Sequence, residues 1–216
     1  VPAEGESLVT ISRAGVNFSD THITNDQYVA RQELPLVPGI EFVGATAEGR
    51  RVAAVVPNGA YAEKIAVRES ALVEIPDGID DEQAAGIMIQ GVTADGVLSI
   101  SGNLKAGETV VVGAAAGGTG SLAVQLARSM GAGKVIGLAS GEEKQQLVLG
   151  LGADAVVDSR SPDLGDEVLE AAGGPVDLVL EMAGGDSFDQ LLGTLAPFGR
   201  MIVVGIASRE QNAIRT

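Results

Sequence analysis

The pattern of apolar and polar positions changes once along the chain, near residue 80. Before that point, short apolar runs alternate with polar positions and are interrupted by Pro and Gly, as in "ESLVTISRAGV" and "RRVAAVVPNGAYAEKIAV". Alternation with a period of two, bounded by turn residues, is typical of half-buried strands. We therefore predict a small β-rich domain over residues 1–82.

Beyond residue 80, fully apolar runs alternate with segments of helical period. Five runs have the length of strands and contain few polar positions: "GETVVVGA", "KVIGLA", "DAVVD", "VDLVLEMA" and "RMIVVGIA". Strands of this kind are buried on both faces, which indicates a parallel sheet covered by helices, one of them over "SFDQLLGTLAPFG". The predicted fold class is α/β, with a doubly wound parallel sheet over residues 83–208 and a tail at 209–216.

Composition and charge narrow the function classes. The 216 residues are 45 % hydrophobic, and 29 acidic residues against 14 basic ones give a net charge of −15. An acidic chain repels phosphate backbones and anionic lipid surfaces, so neither nucleic acid nor a membrane is expected as a partner. The chain has no Cys and one His, which argues against disulfides, metal sites and cysteine nucleophiles. Without a recognisable targeting or spanning segment, a cytoplasmic protein is expected.

The most specific local motif follows the first apolar strand of the second part, in "VVVGAAAGGTGSLAVQLA". Gly117, Gly118, Thr119 and Gly120 lie where this strand gives way to a helix, whose N-terminus presents N–H groups to an anion. They are predicted to bind the pyrophosphate of a dinucleotide. The alternative is a tight turn without a ligand, because the spacing differs from the plain Gly-x-Gly-x-x-Gly pattern. Gly-Lys-Ser/Thr is absent, so a triphosphate-binding loop is not expected.

The end of the second strand bears on the choice between NADPH and NADH. An acidic residue at that position would bind the ribose 2′-hydroxyl of NADH. Here "KVIGLA" is followed by Ser140 without a carboxylate at its tip, and Lys144 comes four residues later. A hydroxyl group and a cation suit a 2′-phosphate, which favours NADPH. The alternative is a capping box in "SGEE", with Ser140 as the N-cap residue and Glu143 reaching back to it.

Several motifs together resemble the medium-chain dehydrogenase/reductase superfamily. They are "AGVNFSD", "LVPGIEFVG", "GAYAE", "GVTADG", "GETVVVGAAAGGTG" and "LGADAVVD", and they extend over nearly the whole chain. The pair "AGVNFSDT" and "AAAGGTG" resembles the zinc-free, quinone oxidoreductase-like branch. Where zinc-dependent members have a cysteine ligand this chain has Asn17, and where they have the His of Gly-His-Glu it has Ile40. The resemblance implies a GroES-like catalytic domain, a Rossmann domain and no metal site.

The resemblance also implies roles for single residues. Asn17 is expected beside the nicotinamide and the substrate, as an amide donor to a carbonyl oxygen, and the alternative is a turn-capping side chain. His22 and Tyr28 are expected in the substrate pocket. His22 is either a proton donor or an ordinary surface histidine. Besides the phosphate loop, the positions expected to contact the cofactor are Thr93, Ser140, Lys144, Ser159, Gly184 and Gly205.

The implied activity is transfer of hydride from NADPH to a quinone or an α,β-unsaturated carbonyl compound, without zinc. An enoyl-thioester reductase and a non-catalytic NADPH-binding protein stay open as alternatives. A homodimer is the expected assembly. Members of the family extend beyond "GIASREQNAIRT", so this chain is expected to lack their sixth strand and the last elements of the catalytic domain.

Overall fold

The computed structural model describes residues 2–27, 33–205, 207–208, 210 and 212–214. The chain divides into two compact units, Val1–Ile89 and Gln90–Thr216. Each unit is built around a five-stranded sheet. The predicted α/β fold class, with a β-rich first part and a parallel sheet in the second part, is confirmed.

The first unit is an antiparallel sheet with two short helices. Its strands, in the spatial order β4-β1-β2-β3-β5, are β1 (Glu6–Ala14), β2 (Glu41–Thr46), β3 (Arg51–Val55), β4 (Lys64–Arg68) and β5 (Val73–Glu74). The helices are α1 (Phe18–Thr24) and α2 (Asp81–Ile87), and a 3-10 turn covers Glu69–Ala71. Side chains alternate between two cores, so that Phe42 of β2 enters one core and its neighbour Val43 packs with α2 in the other.

The second unit is a parallel sheet with helices on both faces. Its strands, in the spatial order β10-β9-β6-β7-β8, are β6 (Thr109–Val112), β7 (Lys134–Leu138), β8 (Ala155–Val157), β9 (Val176–Glu181) and β10 (Leu195–Val203). Its helices are α3 (Gln90–Asp95), α4 (Gly118–Ser129), α5 (Glu142–Gly150), α6 (Leu164–Ala172) and α7 (Asp186–Leu192), and a π-helical turn over Gly96–Ser101 follows α3.

Burial on both faces explains the fully apolar strands of this unit. Val110 and Val112 of β6 lie in the core that includes Val124 of α4, whereas Val111 lies in the opposite core with Val168 of α6. The three strand residues are all fully buried. Because the strands are parallel, the loops after their carboxyl ends lie along one edge of the sheet, where ligands of such folds bind.

The boundary between α7 and β10 differs from the sequence-based prediction. Helix α7 ends at Leu192, and Leu195 is already in β10, so the helix predicted over "SFDQLLGTLAPFG" is too long. Leu195 pairs with Val176 of β9, and the register then shifts before Arg200. Phe198, within the shifted stretch, has a left-handed φ of 66°. This backbone bulge inside β10 breaks the apolar alternation by which a strand is recognised.

The helices in the described part of the chain also bear on membrane insertion. None of them alone has the length and apolar character needed to cross a bilayer, although the bent pair Asp81–Ile87 and Gln90–Ser101 meets those criteria by length and composition when taken together.

Candidate active site

The loop between β6 and α4 is shaped by glycines at which any side chain would collide with backbone. A Cβ atom on Gly113 would lie 2.7 Å from the carbonyl oxygen of Leu180, and one on Gly120 would lie 2.2 Å from that of Ala114. Ala114 itself has a left-handed φ of 44°. The N–H of Gly117 donates to the Ala114 carbonyl at 2.8 Å and closes the turn. Helix α4 therefore begins directly against the loop.

The N-terminus of α4 is free of acidic side chains. Gly117 is its N-cap residue, without a side-chain cap, and the helix begins at Gly118. The N–H groups in the first turn of a helix have no intrahelical acceptor. Gly118, Thr119 and Gly120 thus present donors at the positive end of a 12-residue helix. This arrangement suits a diphosphate. The predicted role of Gly117, Gly118, Thr119 and Gly120 stays a prediction.

The side chain of Gln90 lies against the same turn. Its Cγ atom is 3.2 Å from the place that a Cβ atom on Gly118 would occupy, and Thr119 Oγ1 donates a long hydrogen bond of 3.4 Å to Gln90 Oε1. Thr93 is half-buried on the same face of α3, three residues after Gln90. Sequence reasoning selected Thr93 and missed Gln90, although Gln90 immediately precedes the "GVTADG" motif.

Polar groups also follow the neighbouring strands β7 and β8. Leu138 pairs with Val157, so both strands end at the same level of the sheet. Ser140 follows β7, and Gly141, with a φ of 86°, is the N-cap residue of α5 and makes no side-chain cap. The capping box predicted as the alternative for "SGEE" is therefore wrong, because the left-handed Gly141 moves the cap one residue beyond Ser140.

Two cations lie at this edge of the sheet. Lys144 is exposed in the first turn of α5, and Ser159 and Arg160 are exposed in the turn after β8. Asp158 Oδ1 accepts the N–H of Arg160 at 3.0 Å and so holds the turn. Within the described residues, the structure gives neither cation an ion pair. Arg160 was not among the predicted site residues, although it directly follows Ser159.

A buried carboxylate holds the turn after β9. Glu181 is 1 % exposed, and its Oε1 accepts the N–H groups of Ala183 and Gly184 at 2.8 Å each. Gly184 has a φ of 75°. A Cβ atom on Gly205 would lie 3.3 Å from the carbonyl oxygen of Met182. The predicted positions Gly184 and Gly205 thus follow β9 and β10, which are neighbours in the sheet. Sequence reasoning did not select Glu181.

In the first unit, Asn17 belongs to a buried hydrogen-bonded cluster. Asn17 is 4 % exposed and is the N-cap residue of α1. Its Nδ2 donates to Glu41 Oε1 at 2.7 Å, and Glu41 Oε2 accepts the N–H of Ile89 at 2.8 Å. Burial raises the pKa of Glu41 above its ordinary value, although the hydrogen bonds from Asn17 and Ile89 act in the opposite direction.

Asp20 links Asn17 to Tyr61. Its Oδ2 accepts the backbone N–H of Asn17 at 2.8 Å and the hydroxyl of Tyr61 at 2.6 Å, and the residue is 4 % exposed. Burial and the hydrogen bond to Asp20 raise the pKa of the Tyr61 hydroxyl. The structure therefore gives Asp20 a role in holding local backbone, and it gives Tyr61 a polar contact that its sequence context did not indicate.

Comparison with known proteins agrees with this architecture. Residues 3–77 match the alcohol dehydrogenase GroES-like domain, and residues 118–215 match the zinc-binding dehydrogenase family. The chain is 37 % identical to a quinone oxidoreductase-like protein 2 homolog of Nematostella vectensis, over 94 % of the chain and 58 % of that protein. It is 36 % identical to the quinone oxidoreductase of Pseudomonas aeruginosa, over 96 % and 67 %.

A solved structure gives the same result. The quinone oxidoreductase of Thermus thermophilus superimposes with a TM-score of 0.88 at 39 % identity, covering 98 % of this chain and 68 % of that one. The chain belongs to the quinone oxidoreductase-like branch of the medium-chain dehydrogenase/reductase superfamily. It spans 58 % of the length of the Nematostella vectensis relative, so this quinone oxidoreductase-like chain corresponds to part of that protein.

The donor set of this quinone oxidoreductase-like chain does not fit a zinc ion, despite the name of the matching family. The chain has no Cys, and the resemblance implies that Asn17 and Ile40 stand where zinc-dependent members have ligands. Glu41 already accepts hydrogen bonds from Asn17 and Ile89. Among the described residues, no three His, Cys, Asp or Glu side chains are grouped so that they could hold a metal. Zinc in tetrahedral sites needs thiolate, imidazole or carboxylate ligands that converge on one point.

His22 and Tyr28 are the two remaining predicted site residues, and the structure describes only the first of them. His22 is half-buried in the last turn of α1, and its ring makes an edge-to-face contact with Phe18, with 5.2 Å between the ring centroids. In the described part of the chain, the structure records no hydrogen bond or ion pair of the His22 side chain. This contact favours neither of the two roles considered for it. Tyr28 lies outside the described residues.

Proposed function

We propose that the chain is part of an NADPH-dependent oxidoreductase that reduces a quinone or an α,β-unsaturated carbonyl compound without zinc. The observation that carries this proposal is the N-terminus of α4, which has no acidic side chain in its first turn and has glycine at Gly117, Gly118 and Gly120. The Thermus thermophilus relative has been solved in complex with NADPH, which supports the same cofactor here.

The second unit supplies the groups that would bind this cofactor. The N–H groups from Gly117 to Gly120 would hold the pyrophosphate, because they are donors at a positive helix end. Ser140, Lys144 and Ser159 would hold the 2′-phosphate, and the exposed Arg160 adds a second cation beside Lys144. Thr93, Gly184 and Gly205 would line the rest of the dinucleotide. NADPH, when bound, supplies the hydride.

The first unit would contribute Asn17. An amide N–H is a suitable donor to the carbonyl oxygen of an enone or a quinone, where negative charge develops during reduction. His22 and Tyr28 stay predictions for the substrate pocket, and the homodimer stays a prediction for the assembly. An acceptor that is already conjugated does not require a metal for polarisation, which is consistent with a donor set unsuited to zinc.

The decisive experiment combines cofactor binding with turnover. NADPH and NADH affinities are measured by cofactor fluorescence, and their oxidation is followed against quinones, enones and enoyl thioesters. We expect NADPH to bind at least tenfold more tightly than NADH, a difference of about 1.4 kcal/mol. Turnover with enoyl thioesters alone would favour the thioester reductase. Tight NADPH binding without turnover of any acceptor would favour the non-catalytic protein.

A matched pair of lysine variants tests the choice of cofactor. Lys144→Ala should weaken NADPH binding and leave NADH binding unchanged, because only NADPH carries the 2′-phosphate. Lys64→Ala removes an exposed lysine of the first unit and should change neither affinity. Equal losses for NADPH and NADH in Lys144→Ala would refute the assignment of the 2′-phosphate to this edge of the sheet.

A further inference from the structure

Glu41 is a buried carboxylate whose two oxygens each accept a directed hydrogen bond. Oε1 accepts from the side-chain amide of Asn17 at 2.7 Å, and Oε2 accepts from the backbone N–H of Ile89 at 2.8 Å. Glu41 is 1 % exposed and is the first residue of strand β2. A charged group is rarely buried to this extent without partners, so its hydrogen bonds decide how its neighbours are oriented.

The backbone around Glu41 leaves room for this carboxylate. A Cβ atom on Gly15 would lie 2.2 Å from Glu41 Oε1 and 2.5 Å from its Cδ. The N–H of Gly15 also donates to the Glu41 carbonyl at 3.2 Å. No residue with a side chain fits at position 15 while Glu41 keeps its contact with Asn17.

The chemistry of the two groups makes their contact directional. An ionised carboxylate only accepts hydrogen bonds, whereas a primary amide has a donor end and an acceptor end. Ionised Glu41 therefore requires Nδ2 of Asn17 to face Oε1, and it takes one of the two N–H groups of that nitrogen. In the neutral form, with Oε2 held by the N–H of Ile89, an acid proton on Oε1 needs the acceptor Oδ1 of Asn17. The Asn17 side chain also accepts the backbone N–H of Asp20 in the capping box of α1, so neutral Glu41 and this cap compete for the same oxygen.

We propose that Glu41 is a positioning residue whose protonation state sets which end of the Asn17 amide faces it. The direction in which the opposite end of the Asn17 amide points is determined at the same time. Neutral Glu41 takes no N–H from Asn17, so both N–H groups of Nδ2 point away from Glu41. The consequence for catalysis rests on the proposed function, in which Asn17 donates to the substrate carbonyl, whereas the positioning itself does not.

The other titratable groups of the cluster favour titration of Glu41 above the range of an ordinary glutamate. Burial raises its pKa, and the neighbouring charge of Asp20 on α1 raises it further. Tyr61, between β3 and β4, also interacts with Glu41, but its own raised pKa keeps its hydroxyl protonated.

The acidic residues of α2, which packs against β2, do not compete for this role. Asp81 is paired with Arg51 at 2.6 Å, and Glu82 is paired with Arg13 at 2.6 Å. Hydrogen bonds from Ser12 and Arg51 lower the pKa of Asp81, and the hydrogen bond from Arg13 lowers the pKa of Glu82, whereas burial raises the pKa of Glu41.

The test is a pH titration of the ligand-free, isotope-labelled chain by NMR. The side-chain amide signals of Asn17, assigned by their loss in Asn17→Ala, and the carboxyl carbon of Glu41 are followed from pH 4 to 9. We expect both to shift with one shared midpoint above about 4.3, the ordinary glutamate value. In Glu41→Gln, a neutral side chain that both donates and accepts, the Asn17 signals should lose their pH dependence and resemble those of the wild type at acidic pH.

The controls separate this proposal from its alternatives. Glu63→Gln changes an exposed glutamate of the same unit and should leave the titration intact. Asn17 signals that stay constant while Glu41 titrates would overturn the proposal, as would an unchanged transition in Glu41→Gln. If Glu41→Gln does not fold, the wild-type co-titration decides alone. The NMR titration needs neither cofactor nor turnover. Its result is therefore independent of whether the chain has the proposed reductase activity.

Discussion

Gly120 is the position at which the phosphate loop and helix α4 depend most directly on a missing side chain. In Gly120→Ala, the new Cβ would lie 2.2 Å from the Ala114 carbonyl oxygen, whereas real contacts of this kind are essentially never under 3.0 Å. The loop and the helix must therefore separate by about 0.8 Å. Overpacking of this kind costs about 1–3 kcal/mol, and the better helix propensity of alanine offsets roughly 0.5–1 kcal/mol of it.

We expect Gly120→Ala to lower the free energy of unfolding by about 1–2 kcal/mol, measured by urea denaturation with far-UV circular dichroism. NADPH binding should weaken by at least about tenfold, because the N–H donors of the turn are displaced from their common target. Gly150→Ala is the matched control, since it lies at the end of α5 with nothing within 4 Å of the added Cβ. It should be neutral or slightly stabilising. If Gly120→Ala matched Gly150→Ala in both stability and NADPH affinity, the steric argument for the loop would be wrong.

Three further predictions concern single side chains. Arg160→Ala should weaken NADPH binding about three- to tenfold and leave NADH binding unchanged, with Arg68→Ala, an exposed arginine of the first unit, as the unaffected control in the same fluorescence titration. Tyr61→Phe should cost about 1–2 kcal/mol in urea denaturation, because Asp20 loses a hydrogen bond of 2.6 Å, and unchanged stability would contradict that contact. The raised pKa of Glu41 stabilises the folded state at acidic pH, and this contribution is lost as the pH rises through the pKa of the folded state. The free energy of unfolding of Glu41→Gln should therefore rise relative to that of the wild type between pH 4 and 7. A difference between the two proteins that does not change with pH would contradict the raised pKa.

The sequence predicted the parallel sheet well because its strands satisfy one physical condition along their whole length. Val110, Val111 and Val112 are each fully buried, so no polar position interrupts the run. Strand β10 does not satisfy this condition. Its first residues follow α7 without a clear change of pattern, and the register shift between Leu195 and Arg200 depends on pairing with β9. Pairing between distant segments is not encoded in local periodicity, so this boundary could not be predicted.

The place of the candidate cofactor residues in the fold was predictable where glycine or a cation follows a strand, whereas their role stays a prediction. The loop from Gly117 to Gly120 and the exposed Lys144 lie at the carboxyl-end edge of the sheet, where the motif indicated. The cap of α5 was not predictable, because Ser140 and Gly141 are both acceptable N-cap residues. The left-handed φ of Gly141 decides between them, and that angle follows from how the chain leaves β7.

Glu41 and Glu181 are buried carboxylates in apolar strands, and the apolar pattern alone did not indicate their role. Each lies at one end of an apolar strand and is 1 % exposed. Glu41 accepts the backbone N–H of Ile89, and Glu181 accepts those of Ala183 and Gly184 in the turn directly after β9. An isolated acid in such a run is easily taken for a surface residue, yet its neighbours in the strand are buried. Burying a carboxylate is unfavourable unless donors surround it, so a lone acid inside an apolar strand predicts a converging set of N–H groups. In the first unit that set includes the side chain of Asn17, which is why the search for functional groups in this chain extends from Asn17 to the carboxylate behind it.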